Sequence, residues 1–468
     1  MKKLVKAGVA AAAVLSLAAF TTGCSKKQNA PKADSSAKAS DTLDISYSDI
    51  VLGKTGTDIT ATLKLLSHRT DMMNADYPGT TWAQYLAEFN KVYPNIKVEI
   101  DGITDYASTA LLRLQGGNWG DIMMIPALDA KDLSTYFLSY GTVEEMSKQV
   151  RFANQWMYDG KSYGIPSTGN AQGVLYNKKV FEKAGITKMP KTPEEFIADL
   201  KLIKEKTDAI PLYTNYAAGW TMGAWDAYLG GSATGDSKYN NQVLPHEKNP
   251  FRNRGDGTHA YAVYKVLYDA VANGLIEDDY TTTDWEGCKG MINRGEIGTM
   301  VLGSWAFTQM QGAGPNPDDI GYMSFPITVN GKQYASAGPD YCFGVNVNAS
   351  VNNQKAALIF LKWFTEKSGF AFNEGGIPIA MNDSNYPPVY AAFDGIEFVP
   401  DTPALAGEED LMNNLNSDSE LAINAGGNLK VQQIIEHAYN KDMTFDKIMD
   451  EWNAAWTRAQ ESNNVSVK

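Results

Sequence analysis

Aromatic side chains are concentrated in one short stretch of the chain, residues 213–226. Four aromatic residues lie there among small ones, including Tyr216, Trp220 and Trp225, and Asp226 follows directly. Flat aromatic faces pack against the apolar C–H faces of sugar rings, and planar polar groups hydrogen-bond to hydroxyls, so the stretch suits a carbohydrate ligand. Trp220, between glycine and threonine, is expected to be exposed, whereas Trp225 could equally belong to a core.

A second candidate site is the polar run that follows the first expected strand, residues 61–66. His68, Arg69 and Asp71 lie in this run. In open α/β sheets, ligands bind beyond the carboxyl ends of the strands. Carboxylates and guanidinium groups bind hydroxyls through charge-assisted hydrogen bonds. These three side chains are therefore candidate ligand contacts, and the alternative is a solvated turn.

The elements around these candidates alternate between strand and helix. An apolar stripe from Trp82 to Tyr93 predicts an amphipathic helix, and the alternating residues 96–100 predict a parallel partner for the first strand. Thr192-Pro193-Glu194-Glu195 has the pattern of a capped helix start. Four tryptophans on helical apolar faces are expected in the core, whereas Trp119 and Trp285 have no assignment. The core set is Trp82, Trp363, Trp452 and Trp456.

Length and charge restrict the class of protein. The chain has 468 residues, too many for one ordinary core, so two α/β lobes are expected. Its 41 basic and 54 acidic residues give a net charge of −13, which argues against nucleic acid and anionic phospholipid as partners. No nucleophile elbow, zinc-binding helix, phosphate loop or Gly-rich dinucleotide turn is present, which disfavours an enzyme.

The N-terminal residues have the pattern of a lipoprotein leader. Three lysines precede an apolar run that is too short to span a bilayer, and Cys24 follows a small-residue cleavage site. We therefore expect residues 1–23 to be a signal peptide and Cys24 to carry two acyl chains, which suffice for stable anchoring. Residues 24–58 are expected to form the anchor and a flexible tether.

The order of several motifs resembles that of the extracellular solute-binding proteins, the family that includes the maltose-binding proteins. Each motif alone is loose, but several in one order are specific, and together they span nearly the whole mature chain. They are Tyr158-Asp159-Gly160-Lys161-Ser162-Tyr163-Gly164-Ile165-Pro166, Val174-Leu175-Tyr176-Asn177-Lys178, Phe181-Glu182-Lys183-Ala184-Gly185, Gly295-Glu296-Ile297-Gly298-Thr299-Met300, Gly303-Ser304-Trp305, Phe325-Pro326 and Gly375-Gly376-Ile377-Pro378.

The resemblance implies a type II periplasmic-binding-protein-like fold, a clamshell of two α/β lobes that closes on its ligand. Chain crossings are expected near Pro166, Asp340 and Pro378. The N-terminal lobe would comprise 59–166 plus 341–378, and the C-terminal lobe 167–340 plus 379–468. By the same resemblance, Trp305 would stack on sugar, and Asn170, Asp340 and Tyr341 would form the floor of the cleft.

The function that the resemblance implies is capture of a carbohydrate, an oligosaccharide, for an ABC importer. The protein would be a monomer, held on the outer face of the cytoplasmic membrane by its lipid anchor. It would deliver sugar to the permease subunits without a cofactor, without a metal ion and without catalysing a reaction. Peptide, polyamine, polyol phosphate or a metal chelate held by His68 and Tyr341 remain alternative ligands, and a glycoside-acting enzyme or an adhesion lipoprotein are more remote ones. Whether Cys288 and Cys342 pair stays open.

Overall fold

The strands form two main sheets and a small third one. The computed structural model describes residues 43–77, 79–104, 106–425 and 428–468, so the leader and Cys24 lie outside the described residues. The strands are β1 (Ala61–Ser67), β2 (Ile96–Gly102), β3 (Ile122–Met124), β4 (Gly141–Thr142), β5 (Met157–Tyr158), β6 (Lys161–Ser162), β7 (Ile165–Pro166), β8 (Gly169–Asn177), β9 (Ile210–Leu212), β10 (Ile297–Gly303), β11 (Ile320–Ser324), β12 (Tyr334–Pro339), β13 (Cys342–Val345) and β14 (Glu397–Pro400).

Helices cover the two main sheets. The helices are α1 (Trp82–Val92), α2 (Tyr106–Gln115), α3 (Leu133–Tyr136), α4 (Val143–Met146), α5 (Lys178–Ala184), α6 (Pro193–Lys206), α7 (Trp220–Gly223), α8 (Gly231–Thr234), α9 (His259–Ala272), α10 (Trp285–Asn293), α11 (Ala306–Gly312), α12 (Val351–Lys367), α13 (Phe370–Asn373), α14 (Leu411–Ser419), α15 (Leu429–Asn440) and α16 (Phe445–Ser462). In the part of the chain that the structure describes, none of these is long and apolar enough to cross a bilayer.

The first lobe is built on the sheet β2-β1-β3-β13-β7. β1 pairs in parallel with β2 and β3, and β13 runs antiparallel to β3. The predicted β-α-β unit is therefore confirmed. Buried and exposed residues alternate in β1 from Ala61 to Leu65, and Leu66 and Ser67 are buried as well, because the strand packs against helices. Trp82 and Trp363 lie in this core, as expected, and so does Trp119.

The second lobe is built on the mixed sheet β14-β12-β8-β10-β9, with β11 also paired to β8. β8 is antiparallel to β10, β11 and β12. Trp452 and Trp456 pack in the helical core of this lobe, as expected. The predicted start of α6 is also present: Thr192 caps it, its side chain accepts from the N–H of Glu195, and proline follows at the first helical position.

The chain passes between the two sheets at positions that are bonded to one another. It goes from β7 to β8 through Ser167 and Thr168, and from β12 to β13 through Asp340 and Tyr341. The Asp340 N–H donates to the Thr168 carbonyl at 2.8 Å, and the Ser167 N–H donates to the Tyr341 carbonyl at 2.9 Å. A third segment joins them where Gly169 and Ile377 exchange both backbone bonds. The two-lobed α/β fold is confirmed.

The segment before the first sheet is packed rather than free. Tyr47 and Ile50 are buried in the core of the first lobe, and Lys355 forms an ion pair with Asp44 at 2.5 Å. An aromatic ring removed from water stabilises the attachment of this segment. Residues 43–58 therefore do not behave as the flexible tether that was expected, because they carry apolar side chains that the first lobe buries.

The two cysteines of the described residues are free and buried. Cys342 lies in the core of the first lobe, whereas Cys288 lies in a core cluster of the second. Burial raises the pKa of Cys288 to about 12. Both behave as small apolar side chains with unreactive thiols.

Candidate functional site

Four strands of the second lobe, β14, β12, β8 and β10, meet in one row beside the chain crossings, and we call this row the floor of the interlobe cleft. Pro400 of β14 lies opposite Ala337 of β12, Ala337 lies opposite Ala171 of β8, and Ser304 follows β10 beside Ala171. Three interstrand spacings make this row roughly 14 Å long. The cleft floor therefore has two ends, one after β10 and one after β14.

The end after β10 carries three tryptophans, Trp220, Trp285 and Trp305, which we call the aromatic end. The ring centroids of Trp220 and Trp305 are 5.6 Å apart, and Trp285 lies 5.0 Å from Trp220 and 5.8 Å from Trp305. Trp220 is 43% exposed, so much of its ring is open to a ligand. A cluster of tilted aromatic faces at a cleft is suited to the C–H face of a sugar.

Trp305 is held in place by the turn that precedes it. The Ser304 N–H donates to the Ala171 carbonyl at 2.9 Å, and the Ser304 hydroxyl accepts from the Ala171 N–H at 3.1 Å. A Cβ on Gly303 would lie 2.6 Å from the indole Nε1 of Trp305, so the ring can lie over this position only because the residue is glycine. The same Cβ would lie 3.2 Å from the Oε1 atom of Gln172, so the Gln172 side chain also faces Gly303.

Asn170 lies at the centre of the cleft floor. It is mostly buried on β8, opposite Gly338 of β12, and its Oδ1 accepts from the Ser304 hydroxyl at 3.5 Å. Asn170 and Trp305 therefore lie in one region of the cleft. Asn170 joins the first crossing to the turn that holds Trp305.

The first lobe contributes a smaller aromatic group at the crossings. The ring of His68 lies 4.4 Å from that of Tyr341, and Tyr106 contacts both rings. The Nδ1 atom of His68 is buried without a hydrogen-bond partner, and burial lowers the pKa of this imidazole. Asp340 accepts from the Tyr341 N–H at 2.8 Å. His68, Asp340 and Tyr341 thus meet at the second crossing. The sequence predicted only that Asp340 and Tyr341 lie at this crossing and that His68 follows the first strand, and Tyr106 was missed.

The side chains of Arg69 and Asp71 form ion pairs and hydrogen bonds with other groups of the protein. The Arg69 guanidinium contacts Asp71 at 2.9 Å and Glu374 at 2.7 Å, and it donates to the Tyr77 hydroxyl. These carboxylates keep the pKa of Arg69 raised despite its burial. The charge-assisted bonds expected for a ligand are therefore already formed to protein groups. In this structure, Arg69 fixes the loop after β1 to Glu374, three residues before Ile377.

Trp225 and Asp226 are core residues, which corrects the expectation that they contact ligand. Trp225 is 3% exposed and packs against Tyr228 and Phe325. Asp226 is 1% exposed and forms an ion pair with Lys430 at 2.6 Å. Residues 224–228 form a short helix, and this helix turns both side chains inward.

Tyr216 lies apart from the aromatic end. Its hydroxyl donates to Glu436 of α15 at 2.5 Å, and its ring contacts Tyr280 at 4.7 Å. Partial burial, together with the bonded carboxylate, raises the pKa of Tyr216 to about 12. The structure therefore places this tyrosine in contact with α15 rather than with Trp220 or Trp305.

The other end of the floor, after β14, opens into a cavity of about 750 Å³ lined by both lobes. Its polar side chains are mainly amides, and we call it the amide end. Gln172 lies between the two ends, since it lines this cavity and also faces Gly303. No sequence pattern indicated this set, because its members come from widely separated segments. They are Asn154, Gln155, Gln172, Asn240, Asn241, Asp401 and Asn424.

The side chains at the two ends of the floor are suited to binding a molecule that carries many hydroxyl groups. Amides and carboxylates donate to and accept from hydroxyls, and aromatic faces cover apolar ring surfaces. Within the described residues there is no group of three or more His, Cys, Asp and Glu side chains that could hold a metal ion. The cleft is therefore equipped to bind a polyhydroxylated ligand.

Comparison with known proteins gives the family. The model of the bacterial extracellular solute-binding proteins matches residues 75–369, more than half of the chain. The chain is also 24% identical over 326 residues to the multiple sugar-binding protein of Streptococcus mutans, an alignment that covers 66% of this chain and 74% of that protein.

Two solved structures from Bifidobacterium animalis subsp. lactis ATCC 27673 are more similar. A manno-oligosaccharide-specific solute-binding protein in complex with mannotriose is 54% identical, with a TM-score of 0.85, and the match covers 90% of this chain and 99% of that one. A binding protein of an ABC transporter in complex with mannobiose is 55% identical, with a TM-score of 0.86, covering 90% of this chain and all of the other. The protein described here belongs to the family of bacterial extracellular solute-binding proteins.

Proposed function

We propose that this protein captures manno-oligosaccharides outside the cytoplasm and delivers them to the permease of an ABC importer. The observation that carries the proposal is the aromatic end, three tryptophans at a cleft between two lobes. The ligand class is supported by two relatives that are more than half identical over 90% of the chain and hold mannobiose and mannotriose. The family comprises binding proteins rather than enzymes.

The proposed mechanism begins with a sugar that stacks on Trp305 and Trp220. These rings belong to the second lobe, whereas His68 and Tyr341 lie on the first-lobe side of the crossings, so a sugar between them bridges the lobes. A ligand shifts an open–closed equilibrium only through its different affinity for the two states. Bridging contacts exist only when the lobes are closed, and the closed form then offers the permease one composite surface.

The site residues of this proposal are those that meet at the cleft. Trp220 and Trp305 would stack on sugar rings, and Asn170 would bind hydroxyls between them. His68, Asp340 and Tyr341 would close over the ligand from the first lobe. Arg69 and Asp71 would act from a distance, by holding the loop that carries His68.

Anchoring is a separate part of the proposal. A diacylated Cys24 would hold the protein on the outer face of the cytoplasmic membrane, because two acyl chains give stable attachment. The protein would act as a monomer beside its permease. Release of the protein into the medium after Cys24→Ser would support this anchoring, and full retention in the membrane fraction would contradict it.

Ligand screening by thermal unfolding tests the proposed function. The purified protein is heated with mannobiose, mannotriose, other oligosaccharides, amino acids, polyamines, a polyol phosphate and iron chelates. A ligand at 100 times its dissociation constant adds about 2.7 kcal/mol to the free energy of unfolding, which raises the midpoint visibly. Stabilisation by the manno-oligosaccharides is expected. Stabilisation by a non-sugar alone would leave the transport role intact but overturn the carbohydrate assignment.

A further inference from the structure

Phe152 combines an unfavourable backbone conformation with a position between the lobes. Its φ is 60°, in the left-handed region that a bulky side chain seldom adopts. Such a conformation costs free energy and persists only where the surrounding structure determines it, often at a site of function. What the Phe152 ring contacts, and what holds its backbone, therefore bears on how the protein works.

The ring of Phe152 lies where the first and third crossings meet. A Cβ on Gly169 would lie 2.6 Å from the Cε2 atom of Phe152 and 3.0 Å from the Cβ of Ile377, so only glycine leaves room for the ring beside this pair. Gly169 and Ile377 exchange both of their backbone hydrogen bonds. The Phe152 ring also packs against the core of the first lobe and against a core cluster of the second. It thus contacts both lobes at the point where the chain passes between them.

The backbone before Phe152 is bonded to the chain that follows the third crossing. The N–H of Arg151 donates to the Ile379 carbonyl at 2.8 Å, and the N–H of Met381 donates to the Gln149 carbonyl at 2.8 Å. Gln149 to Arg151, which we call the clasp, therefore run antiparallel to this chain. These bonds fix the backbone on the N-terminal side of Phe152.

The side chain of Arg151 binds the same chain. Its guanidinium donates to the carbonyls of Pro378 at 2.9 Å and Ala380 at 2.6 Å, and its Cζ atom lies 5.7 Å from the centroid of the Tyr386 ring. Hydrogen bonds from a charged donor are stronger than those between neutral groups. The clasp and the chain after the third crossing are therefore held together as one unit, with Phe152 at its end.

The N-terminal segment braces the clasp. The Ser48 hydroxyl accepts from the Nε2 atom of Gln149 at 2.5 Å, and the Oε1 atom of Gln149 accepts from the Lys362 ammonium at 3.0 Å. The same ammonium lies 4.6 Å from the ring centroid of the buried Tyr47. These contacts attach the clasp to the first lobe, so the Phe152 ring is fixed to the first lobe where it contacts the second.

We propose that Phe152 is a positioning residue for closure, and that its ring, fixed to the first lobe by the clasp, sets the angle at which the second lobe meets the first around a sugar. This inference rests on the proposed function. A sugar favours closure only through contacts with both lobes, and those contacts form together at one angle. A hinge already held near that angle loses less conformational freedom on binding, so the affinity for sugar is higher.

Phe152→Gly and Phe152→Asn test the proposal, because both remove the ring and both accept a positive φ. Calorimetric titration is expected to show that the Kd values of mannobiose and mannotriose both rise about tenfold. The thermal midpoint of the sugar-free protein should change little, since relief of the backbone strain offsets the lost packing.

A second variant and a matched control accompany these changes. Arg151→Gln removes the charged donor of the clasp and leaves the ring in place, so it should raise both Kd values by about threefold. Lys441→Gly relieves the same kind of strain, a φ of 56°, at an exposed position of the second lobe. It should leave the Kd of each sugar unchanged.

Hydrogen exchange of the sugar-free protein separates positioning from direct contact with sugar. Amides of residues 377–383 should exchange faster in Phe152→Gly, because a loosened crossing opens more often. They should exchange at the unaltered rate in Trp305→Ala, which loses only a stacking ring. Weaker binding by Phe152→Gly without faster exchange would show that the ring contacts sugar and would overturn the positioning role. Faster exchange with Kd values within about twofold of the unaltered protein would overturn the role in closure.

The remaining outcomes distinguish this inference from the proposed function. Unchanged exchange and unchanged Kd values in the Phe152 variants would overturn the inference while leaving sugar capture intact. Failure of the unaltered protein to bind either sugar would instead overturn the proposed function, and the positioning role with it.

Discussion

The two ends of the cleft floor differ in how they would hold a ligand and in what supports them. The aromatic end consists of rings that support one another by contact, with centroids 5.0 to 5.8 Å apart. The amide end depends on bonds of fixed direction and on a loop held by the buried ion pair of Asp226 and Lys430. Stacking tolerates many orientations, whereas amide bonding requires one geometry. The aromatic end therefore presents apolar faces in several directions, whereas the amide end presents polar atoms in fixed positions.

The largest expected effect concerns the support of the amide end. Asp226→Asn leaves the buried Lys430 ammonium without the carboxylate that faces it at 2.6 Å. Removing one partner of a buried ion pair costs roughly 3–5 kcal/mol of the free energy of unfolding, measured by chemical denaturation. The matched control is Asp269→Asn, which breaks the partly exposed pair with Lys265 and is expected to cost less than about 1 kcal/mol. Equal losses in the free energy of unfolding for Asp226→Asn and Asp269→Asn would show that the loop at Asn424 does not depend on the buried pair of Asp226 and Lys430.

Loss of the Trp305 ring should weaken the binding of every sugar. Trp305→Ala removes the side chain that contacts both other tryptophans, and truncation of such an aromatic anchor costs about 2 kcal/mol or more of binding, roughly 30-fold in Kd. Calorimetric titration would show the loss for short and long chains alike. Tyr439→Ala, an exposed aromatic of the same lobe, is the control. A loss no larger than that of the control would show that sugar does not stack on Trp305.

A smaller loss is expected at the rim of the aromatic end. Trp220 is 43% exposed and supplies only part of the stacking surface, so Trp220→Ala should cost about 1 kcal/mol, roughly fivefold in Kd. Trp220→Phe keeps a flat ring and should recover most of the affinity. An Ala variant with unchanged Kd would place the ligand wholly on Trp305 and Trp285.

Much of the fold follows from local patterns, whereas much of the site does not. The parallel pairing of β1 with β2 and the start of α6 at Thr192 depend on residues close in sequence, so periodicity and capping predict them. Trp225 could not be assigned to cleft or core from the sequence, because its direction is set by a short helix, Ala224–Tyr228, that turns it inward. Trp285 and Asn424 gave no signal, since their neighbours in the cleft come from distant segments that only the folded sheet brings together.

The smallest expected effect is a pH dependence at the first-lobe side of the cleft. Burial, to which the charge of Arg69 adds, lowers the pKa of His68 below its ordinary value of 6.5. As pH falls through 6.5, the unfolded chain takes up a proton that the folded protein does not, so the free energy of unfolding decreases. Denaturant titrations between pH 8 and 5 should show a weaker decrease for His68→Gln than for the unaltered protein.

Gln115→Ala, a change of an exposed, uncharged residue on α2 of the first lobe, is the control and should leave the pH dependence of unfolding unchanged. The same decrease in the His68 variant as in the unaltered protein would show that this imidazole is protonated equally in both states. The crossings near Tyr341 would then have no part in the acid sensitivity of the fold.

The burial of Cys288 and Cys342 has a practical consequence for observing this protein at work. Both thiols of the described residues are inside the protein, and the raised pKa of Cys288 keeps its thiol protonated at neutral pH. A single cysteine introduced on the rim of the cleft, at Lys131 or at Asp410 opposite it, would react with a maleimide dye far faster than either native thiol. Labelled there, the protein would convert each capture of sugar into a change of fluorescence, a reagentless optical sensor.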